Sequence, residues 1–253
     1  MLEALPRGEL EVFYQPITRP NGSVVAVEAL LRWRHPERGL LVAGEFIALA
    51  IASGAMVSIG HWVIYQALAQ LARWLEQYPT SAPALVFCNL SPQEVLDADL
   101  RGSIARSLHR HGLTPDRLGL EITEIHLADS RLADTLADYE ASGHSLAIDD
   151  FGTGYSSLYR LVSLPVSYVK IDRSLVSGLP SNQRSCALVE AALVIADKLG
   201  LQVISEGVET PQQARWLNNA GCGLQQGMLH GHPMTAHDID LRLNISPALL
   251  PGQ

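Results

Sequence analysis

One recurring pattern constrains the fold of this chain more than any other: a short apolar run ends at a polar residue, and a helical segment comes next. The pattern occurs six times, and the polar residues concerned are Asn89, Glu121, Asp149, Lys170, Glu206 and Gln226. Strands that alternate with helices predict a parallel sheet with right-handed crossovers. With about seven or eight strands in a chain of 253 residues, a closed α/β barrel of the (β/α)8 TIM-like kind fits better than an open sheet.

The start of the chain departs from that pattern. Residues 10–17 and 24–33 are strand-like runs with the turn residues Pro20, Asn21 and Gly22 between them, so we expect a hairpin. Glu28 lies inside the second run, where a carboxylate needs a buried partner. No linker or shift in composition divides the chain after the hairpin. The sequence therefore predicts one domain over residues 1–253, with a flexible start at 1–8 and a flexible tail at 246–253.

Composition argues against several classes of function. The 18 basic and 26 acidic residues give a net charge of −8, which disfavours a surface that coats a nucleic-acid polymer. No apolar run reaches the roughly 18 residues needed to span a membrane, and the first residues do not resemble a signal peptide. The three cysteines are odd in number and far apart, as expected in a reducing compartment. We expect a cytoplasmic protein.

Two adjacent carboxylates, Asp149 and Asp150, are the least ordinary feature of the sequence. Consecutive strand residues point to opposite faces, so the pair can share a ligand only where the strand ends and twists into its loop. Two like charges at such a short distance repel each other unless a cation lies between them. A divalent cation, which prefers oxygen ligands, suits this position. The alternative is a solvated turn before Gly152, which is weakened by the polar residues at the other strand ends.

The carboxyl ends of barrel strands meet on one face, where barrel enzymes have their site. There the sequence predicts a metal site formed by Glu28, Asn89, Glu121, Asp149 and Asp150. These oxygen ligands favour Mg2+ or Mn2+ over zinc. Two ions about 3.5–4 Å apart would use so many ligands, and such pairs drive in-line displacement at phosphorus. Lys170 can hold an attacking water or a phosphate oxygen, and Glu206 can be a further ligand or a general base.

Two other classes of enzyme share parts of this set. An enolase-like metal-dependent lyase also combines carboxylates, magnesium and a lysine at a strand end, and it removes a proton next to a carboxylate. A glycosidase needs only two carboxylates and leaves the others without a role. Neither class requires Asn89 or the adjacent aspartates, although the enolase-like alternative stays open on the residues alone.

Seven short motifs, in order along the chain, carry a family resemblance. They are Glu28-Ala29-Leu30-Leu31-Arg32-Trp33, Asn89-Leu90-Ser91, Glu121-Ile122-Thr123-Glu124, the stretch from Asp149 to Leu158, Lys170-Ile171-Asp172-Arg173, Glu206-Gly207-Val208-Glu209-Thr210 and Gln226-Gly227. With these motifs, the chain resembles the EAL family of cyclic di-GMP phosphodiesterases from Tyr14 to Pro233. A lone Glu-Ala-Leu triplet would mean little, but seven motifs at compatible spacing are specific.

The resemblance implies a TIM-like barrel with one antiparallel strand, the first. It implies metal-dependent hydrolysis of cyclic di-GMP, a bacterial second messenger of biofilm regulation, to linear pGpG by two Mg2+ or Mn2+ ions. Because Ca2+ prefers longer bonds and more ligands than Mg2+, we expect Ca2+ to inhibit. Glu28, Asn89, Glu121 and Asp149 would bind one ion, while Asp150 and the shared Asp149 would bind the second. Catalytic roles fall to Glu206, Lys170, Glu124 and Gln226, and substrate-binding roles to Gln15, Arg32, Asp172 and Glu209. Among these, Glu124 would anchor the loop 151–156, and Gln226 would order a water or a metal ligand. Glu209 would support the residues of the site without binding a metal ion itself.

The chain departs from the usual family pattern at four positions. Ile51 replaces a glutamate, Gly223 an aspartate, Met228 an aromatic residue and His232 a basic residue. We expect these changes to affect base stacking and substrate affinity at the rim of the site, not the chemistry.

Two further expectations arise from the resemblance. Some family members are catalytically weak or inactive cyclic di-GMP receptors, which typically lose a ligand or degenerate the loop after Asp150; this chain does neither. The receptor is therefore the second function, behind the enzyme. Members usually sit behind a sensory or diguanylate cyclase domain, so a regulatory domain outside this chain and a homodimer are both compatible with the resemblance.

Overall fold

The strands form a closed barrel. The computed structural model describes residues 3–128, 131–152, 161–162 and 164–244. Its strands are β1 (Leu10–Thr18), β2 (Val24–His35), β3 (Gly39–Val42), β4 (Leu85–Asn89), β5 (Leu118–Thr123), β6 (Ser145–Phe151), β7 (Tyr168–Ile171), β8 (Gln202–Ser205) and β9 (Leu224–Gln226). The sheet order is β1-β9-β8-β7-β6-β5-β4-β2-β3, and β1 also pairs with β2, which closes eight strands into a barrel. The predicted TIM-like barrel is confirmed.

The first strand runs against the rest of the barrel. β1 is antiparallel to both of its neighbours, β2 and β9, whereas the other adjacent barrel strands pair in parallel. The turn between β1 and β2 uses Gly22 at φ 81, and its N–H donates to the carbonyl of Arg19 at 2.8 Å. The predicted hairpin and the single antiparallel strand are therefore both confirmed.

The short strand β3 is not predicted by the sequence pattern. It pairs antiparallel with the end of β2, from Arg32 opposite Val42 to His35 opposite Gly39. Only Leu41 of its residues is buried, so the strand shows little apolar alternation. Leu41 packs in a small core with Ala4, which is 2% exposed and belongs to the turn at residues 3–8. The predicted flexible tail lies outside the described residues.

Helices pack around the barrel. Those of the described residues are α1 (Ile47–Ala52), α2 (Met56–Gln77), α3 (Pro92–Val95), α4 (Leu100–His111), α5 (Arg131–Ala141), α6 (Arg173–Val176), α7 (Gln183–Leu199), α8 (Pro211–Asn219) and α9 (Ala236–Asn244). Short 3₁₀ helices lie at Ala43–Glu45, Pro115–Arg117 and Glu124–Ala128. None of the helices in this part of the chain has both the length and the apolar character needed to cross a membrane.

The capping signals of the sequence mark real helix starts. Ser91 and Glu94 form a capping box with Pro92 at the first helical position of α3, and Thr210 does the same for α8. The capping box at Ser91 and the later Gly112 predict one helix that starts at residue 92 and ends near Gly112. That prediction is wrong, because α3 ends at Val95 and α4 begins at Leu100. Asp97 lies between them with its Oδ2 2.7 Å from Nε2 of His61 on α2, and aspartate is a poor helix former.

The buried face of α7 also differs from the face that the sequence predicts. Helical spacing predicts an inner stripe of Leu188, Ala192, Ile195 and Leu199, but Leu188 is 55% exposed. The buried residues are Val189, Ala192 and Ala196. Because this helix is apolar on several sides, helical spacing alone fits two adjacent stripes equally well.

The barrel interior explains how the strands present the site. A buried apolar cluster inside the barrel contains residues from seven strands, β1, β2, β4, β6, β7, β8 and β9. Its members are Ile17, Ala26, Leu85, Phe87, Ala147 and Ile204, and Tyr168 and Leu224 pack against them. Residues two apart on a strand point to the same face, so the residue two positions from each cluster member also faces inward. Those next positions include Gln15, Glu28, Asn89, Asp149, Lys170, Glu206 and Gln226. The apolar layer thus forms the floor of a polar layer above it.

Candidate active site

The carboxyl ends of the strands bring four carboxylates around one buried ammonium group. Lys170, on β7, is 0% exposed. Its Nζ lies 2.7 Å from Oε1 of Glu206, 2.9 Å from Oε1 of Glu121, 3.2 Å from Oε2 of Glu28 and 3.4 Å from Oδ1 of Asp149. The carboxylates belong to β5, β2 and β6 and to the residue directly after β8, so only the closed barrel assembles the cluster.

The charges of this cluster are held out of water. Burial alone lowers the pKa of Lys170, but the surrounding carboxylates raise it well above its ordinary value, so the ammonium keeps its proton. Burial, together with the charge of Glu28, raises the pKa of Glu121 well above its usual range. Burial also raises the pKa of Glu206 to about 7. These raised pKa values mean that one ammonium group is too little positive charge to keep all four carboxyl groups ionised, so added cations would favour the ionised forms.

Glu28 is fixed by amide side chains. Nδ2 of Asn89 donates to Oε1 of Glu28 at 2.7 Å, and Nε2 of Gln226 donates to Oε2 at 2.6 Å. Burial raises the pKa of Glu28, but the charge of Lys170 and these two hydrogen bonds outweigh it, so the pKa lies below its usual value. The surroundings of Glu28 therefore favour its ionised form.

Gln226 links Glu28 to the neighbouring strand. Its Nε2 also lies 3.1 Å from Oε1 of Gln15, which faces Glu28 across the β1–β2 pair, and Nε2 of Gln15 donates to the carbonyl of Gly231 at 3.0 Å. Oε1 of Gln226 is buried and has no hydrogen-bond partner among the described residues. The sequence does not predict the hydrogen bond to the Gly231 carbonyl, because no residue type indicates which backbone carbonyl will accept one.

A bulge, not a strand end, lets both adjacent aspartates face the site. The sequence predicts a strand that ends at Ile148, but β6 continues to Phe151, and its pairing with β7 jumps from Ile148 to Phe151. Asp150 has φ 56, a left-handed conformation that aspartate tolerates better than most residues, and its N–H donates to Oδ1 of Asp149 at 2.9 Å. Such irregularities re-aim side chains near active sites.

The residues fit divalent cations. Carboxylate oxygens of Asp149, Asp150 and Glu206 lie within 4.8 Å of one another, which is close enough to share an ion. Oε2 of Glu121 is buried without a hydrogen-bond donor in the described part of the chain. Among the described residues, the side chains close enough to share an ion are all carboxylates, and oxygen ligands are those that Mg2+ and Mn2+ prefer. All five predicted metal ligands therefore meet in this region, with Asn89 joined to the cluster through Glu28.

Glu124 lies apart from the cluster and holds backbone. It begins the 3₁₀ helix directly after β5, is 6% exposed, and its Oε2 accepts a hydrogen bond from the N–H of Gly152 at 2.9 Å. Gly152 has φ 98, and a Cβ there would lie 2.6 Å from Leu175, so glycine is required. The predicted anchor thus contacts the first residue after Phe151, while residues 153–160 lie outside the described residues.

The four predicted substrate contacts are spread around the mouth. Gln15 is part of the hydrogen-bond network of Glu28. Arg32 is 8% exposed, four residues beyond Glu28 on the same face of β2, with Cζ 5.5 Å from the Phe13 ring centroid. Asp172 caps α6 through the N–H of Ser174 at 2.9 Å. Glu209 forms an ion pair with Arg173 at 2.7 Å and makes no ion pair with Lys170.

The four departures from the family pattern are all exposed, and two of them, Gly223 and Met228, lie at opposite ends of β9. Ile51, Gly223, Met228 and His232 have no place in the carboxylate cluster. Met228 lies just after β9 and is 62% exposed, which places it at the carboxyl end of the barrel. Gly223 precedes β9, at the opposite end, so the expectation that it affects the rim of the site is wrong.

Comparisons with known proteins show the family of this chain. The family model for the EAL domain matches residues 1–233, and the chain belongs to the EAL domain family. The bifunctional diguanylate cyclase/cyclic di-GMP phosphodiesterase MucR of Pseudomonas aeruginosa is 41% identical over 241 residues, which cover 94% of this chain and 35% of that protein. The cyclic di-GMP phosphodiesterase NbdA of the same species is 39% identical over 238 residues, covering 92% of this chain and 30% of its own length.

A solved structure agrees with the fold over nearly all of the chain. The PaMucR phosphodiesterase in a c-di-GMP complex superimposes with a TM-score of 0.88 at 40% identity, covering 94% of this chain and 96% of that chain. The chain spans about a third of the length of MucR and NbdA.

Proposed function

We propose that this chain hydrolyses one phosphodiester bond of cyclic di-GMP and releases linear pGpG. The observation that carries the proposal is the buried cluster of carboxylates around Lys170, with Asp150 beside it, at the carboxyl ends of the strands. Relatives named as cyclic di-GMP phosphodiesterases match more than nine-tenths of the chain, and one was solved with c-di-GMP. Both observations support a cyclic dinucleotide as the substrate.

Two divalent cations, Mg2+ or Mn2+, complete the proposed site. Glu28, Asn89, Glu121 and Asp149 would hold one ion, and Asp150 with the shared Asp149 would hold the other. When bound, such a pair lowers the pKa of water and neutralises phosphate oxygens during in-line displacement. Glu206 is close enough to both aspartates to act as an additional ligand.

Glu206 and Lys170 have complementary roles in the proposed reaction. Because burial raises the pKa of Glu206 to about 7, its carboxylate can accept a proton from water near neutral pH. Lys170 keeps its proton, so it acts as a hydrogen-bond donor to the attacking water or to a phosphate oxygen, and it holds Glu206 in place at 2.7 Å. In this proposal Glu206 accepts the proton, whereas Lys170 stabilises negative charge.

The remaining site residues are proposed to position these groups and the substrate. Gln226 orients Glu28, and Glu124 fixes the backbone just beyond Asp150. Arg32 offers a guanidinium whose planar donors match phosphate oxygens. Gln15, Asp172 and Glu209 are the other proposed substrate contacts, of which Glu209 would act by holding Arg173.

Two observations separate this proposal from its rivals. An enolase-like lyase needs a lysine base that has lost its proton, whereas four carboxylates raise the pKa of Lys170. A cyclic di-GMP receptor without activity is the second candidate, but the residues for both ions, the proposed base and the lysine are all present. A cytoplasmic location, a homodimer and a regulatory domain outside this chain stay predictions.

The test is a turnover assay of the full chain with cyclic di-GMP and Mg2+, with products separated by chromatography. We expect pGpG as the main product and no turnover in EDTA. Asp150→Asn should abolish most activity, while the matched control Asp138→Asn, at an exposed residue paired with Arg101, should not. Binding of cyclic di-GMP without turnover in either Mg2+ or Mn2+ would make the protein a receptor instead.

A further inference from the structure

One backbone carbonyl defines the direction in which two amide side chains of the site point. Nε2 of Gln15 donates to the carbonyl of Gly231 at 3.0 Å. Because an amide donates at one end and accepts at the other, Oε1 of Gln15 is then free to accept from Nε2 of Gln226, at 3.1 Å. The same Nε2 also donates to Oε2 of Glu28 at 2.6 Å. The position of the Gly231 carbonyl therefore affects how Glu28 is held.

Gly231 belongs to a turn that follows β9, and we call residues 227–234 the β9 turn. The N–H of Gly231 donates to the carbonyl of Gly227 at 2.9 Å. At the far end of the turn, Met234 exchanges two backbone hydrogen bonds with Tyr14 of β1, at 2.7 and 3.0 Å. The β9 turn therefore connects β9 to β1 beside the site, and its two ends are fixed by backbone contacts.

A side chain holds the middle of the β9 turn. Nε2 of His230 lies 3.0 Å from Oε1 of Gln225, a residue of β9 that is 1% exposed. Gln225 is itself fixed, since its Nε2 donates to the carbonyl of Ala214 on α8 at 3.1 Å. Its Oε1 can only accept, so the ring of His230 must donate from Nε2. The contact fixes the residue that directly precedes Gly231.

The ring of His230 is neutral in this position. Burial, together with the charge of Arg242, lowers the pKa of His230 to about 4. The ring therefore carries one N–H near neutral pH, and the hydrogen bond to Gln225 uses it. Within the described parts of the chain, neither side chain contacts a carboxylate of the cluster, so an effect on the chemistry must pass through other residues.

We propose that His230 is a positioning residue for the carboxylate cluster. By holding the β9 turn, His230 keeps the Gly231 carbonyl within reach of Gln15. Gln15 then orients the amide of Gln226 toward Glu28. The inference rests on the proposed function, because it assigns a role within that reaction, but the hydrogen bonds themselves can be tested without turnover.

The hydrogen bonds are tested first, in EDTA and without substrate. Solvent exchange of the Gln15 side-chain amide protons is measured by NMR on the isotope-labelled full chain, with Gln15→Met for assignment. Exchange should be about tenfold faster in His230→Phe, which keeps a ring but has no N–H. His230→Gln, which keeps a donor, should restore slow exchange, and His109→Phe at an exposed position of α4 should have no effect. If His230→Phe does not fold, the smaller His230→Leu replaces it.

Turnover then tests the role of His230 in the reaction. At saturating Mg2+ and cyclic di-GMP, kcat should fall about tenfold in His230→Phe, as for other groups that support metal ligands, and recover in His230→Gln. In the Gln15→Met background, His230→Phe should have little further effect, because residues that act through one another are not additive.

Three results would overturn the proposal: an exchange rate or a kcat in His230→Phe equal to that of the parent, or effects of His230→Phe and Gln15→Met on kcat that simply multiply. A parent without turnover would instead contradict the proposed function. In that case the exchange experiment still decides whether His230 holds Gln15.

Discussion

Nζ of Lys170 lies 2.7 Å from Oε1 of Glu206, and the same ammonium reaches the carboxylates contributed by β2, β5 and β6. A fully buried cation thus joins groups from four parts of the barrel. Removing one partner from a buried ionic cluster leaves the others without compensation, which typically costs far more than the loss of a surface pair. Lys170 therefore has two separable roles, one in the stability of the metal-free barrel and one in the proposed reaction.

We predict that Lys170→Met lowers the free energy of unfolding of the metal-free protein by about 3–5 kcal/mol, because four carboxylates lose their only ammonium partner. Mg2+ should restore part of the stability, since ions bound to the native state stabilise it by mass action. Turnover should stay low even with Mg2+. Guanidinium unfolding with and without Mg2+ measures the first effect, and the turnover assay measures the second.

The chain supplies a matched control, because it has only one other lysine. Lys198 pairs with Asp197 at the surface, with both side chains 78% exposed, and surface pairs contribute little. Lys198→Met should therefore leave stability and activity unchanged. A Lys170→Met protein as stable as the parent in EDTA would show that the carboxylates are already neutral without the ammonium.

Glu206→Gln should leave binding of cyclic di-GMP nearly intact and lower kcat. Loss of a general base or of a ligand for the reacting water typically costs on the order of 10²–10⁴ in rate. Kinetics under saturating Mg2+, with affinity measured separately in Ca2+, separate the two effects. Glu190→Gln on α7 serves as the control, and retention of most of the activity in Glu206→Gln would remove the proposed role.

The sequence predicts the barrel well, and it also predicts that the candidate residues lie at one end of the barrel, because both depend on local patterns. Each apolar strand ends at a polar residue, and barrel closure then brings those strand ends together without further information. The caps at Ser91 and Thr210 are equally local, since the residues that satisfy the first N–H groups lie within one turn.

The features that the sequence does not predict depend on three-dimensional context. The bulge at Asp149 and Asp150 is defined by pairing with β7, and the break between α3 and α4 coincides with a contact of Asp97 with His61 on another helix. The buried face of α7 depends on which of two apolar stripes meets the barrel. The sequence places Lys170 and the four carboxylates at the same end of the barrel, but it does not predict the direct contacts of Lys170 with them, because those contacts depend on side-chain packing.

Ca2+ is predicted to bind at the site and to prevent turnover. Calcium prefers longer bonds and more ligands than the octahedral geometry that Mg2+ requires. The carboxylates of Asp149, Asp150 and Glu206 should accept it, but the spacing of the ions against water and phosphate would be wrong. Adding Ca2+ to a reaction in Mg2+ should lower the rate, and Mg2+ in excess should recover it. Equal rates in the two ions would argue against the proposed site.

A buried carboxylate away from the site should make stability depend on pH. Glu94 on α3 is 0% exposed; its Oε2 accepts from Ser91, and its Oε1 has no partner among the described residues. Burial raises the pKa of Glu94 from 4.5 to about 7. Its contribution to stability is therefore complete below pH 4.5 and is lost as the pH rises through 7, by at most about 3 kcal/mol.

Glu94→Gln should remove that pH dependence, because glutamine stays neutral across the range. Relative to the parent, the variant should gain stability between pH 5 and pH 8 when unfolding is measured in denaturant without metal. Glu140→Gln, at an exposed residue of α5, should keep the slope of the parent. If Glu94→Gln and the parent change in parallel over this range, Glu94 does not hold a proton in the folded state.

Glu124 provides the last prediction, since it contacts backbone and not the cluster. Its Oε2 accepts from the N–H of Gly152, two residues after Asp150, which is a proposed ligand of the second ion. Gly152 brings backbone freedom that must be lost when the segment orders, so the carboxylate should hold Asp150 indirectly. Glu124→Ala is therefore expected to weaken binding of the second ion and to lower kcat, by about 10–100-fold as for other groups that support metal ligands.

The Mg2+ dependence of activity separates this role from a merely structural one. An anchoring role requires the Mg2+ concentration at half-maximal rate to rise in Glu124→Ala, and Glu124→Gln, which keeps an acceptor oxygen, should recover part of the loss. Because Glu124 is 6% exposed, unfolding must be measured as well, and we expect a small change compared with that of Lys170→Met. Glu140→Ala at the surface is the matched control. A Mg2+ dependence and a rate equal to those of the parent would mean that Gly152 is held without Glu124, and that Asp150 owes its position to the β6–β7 bulge alone.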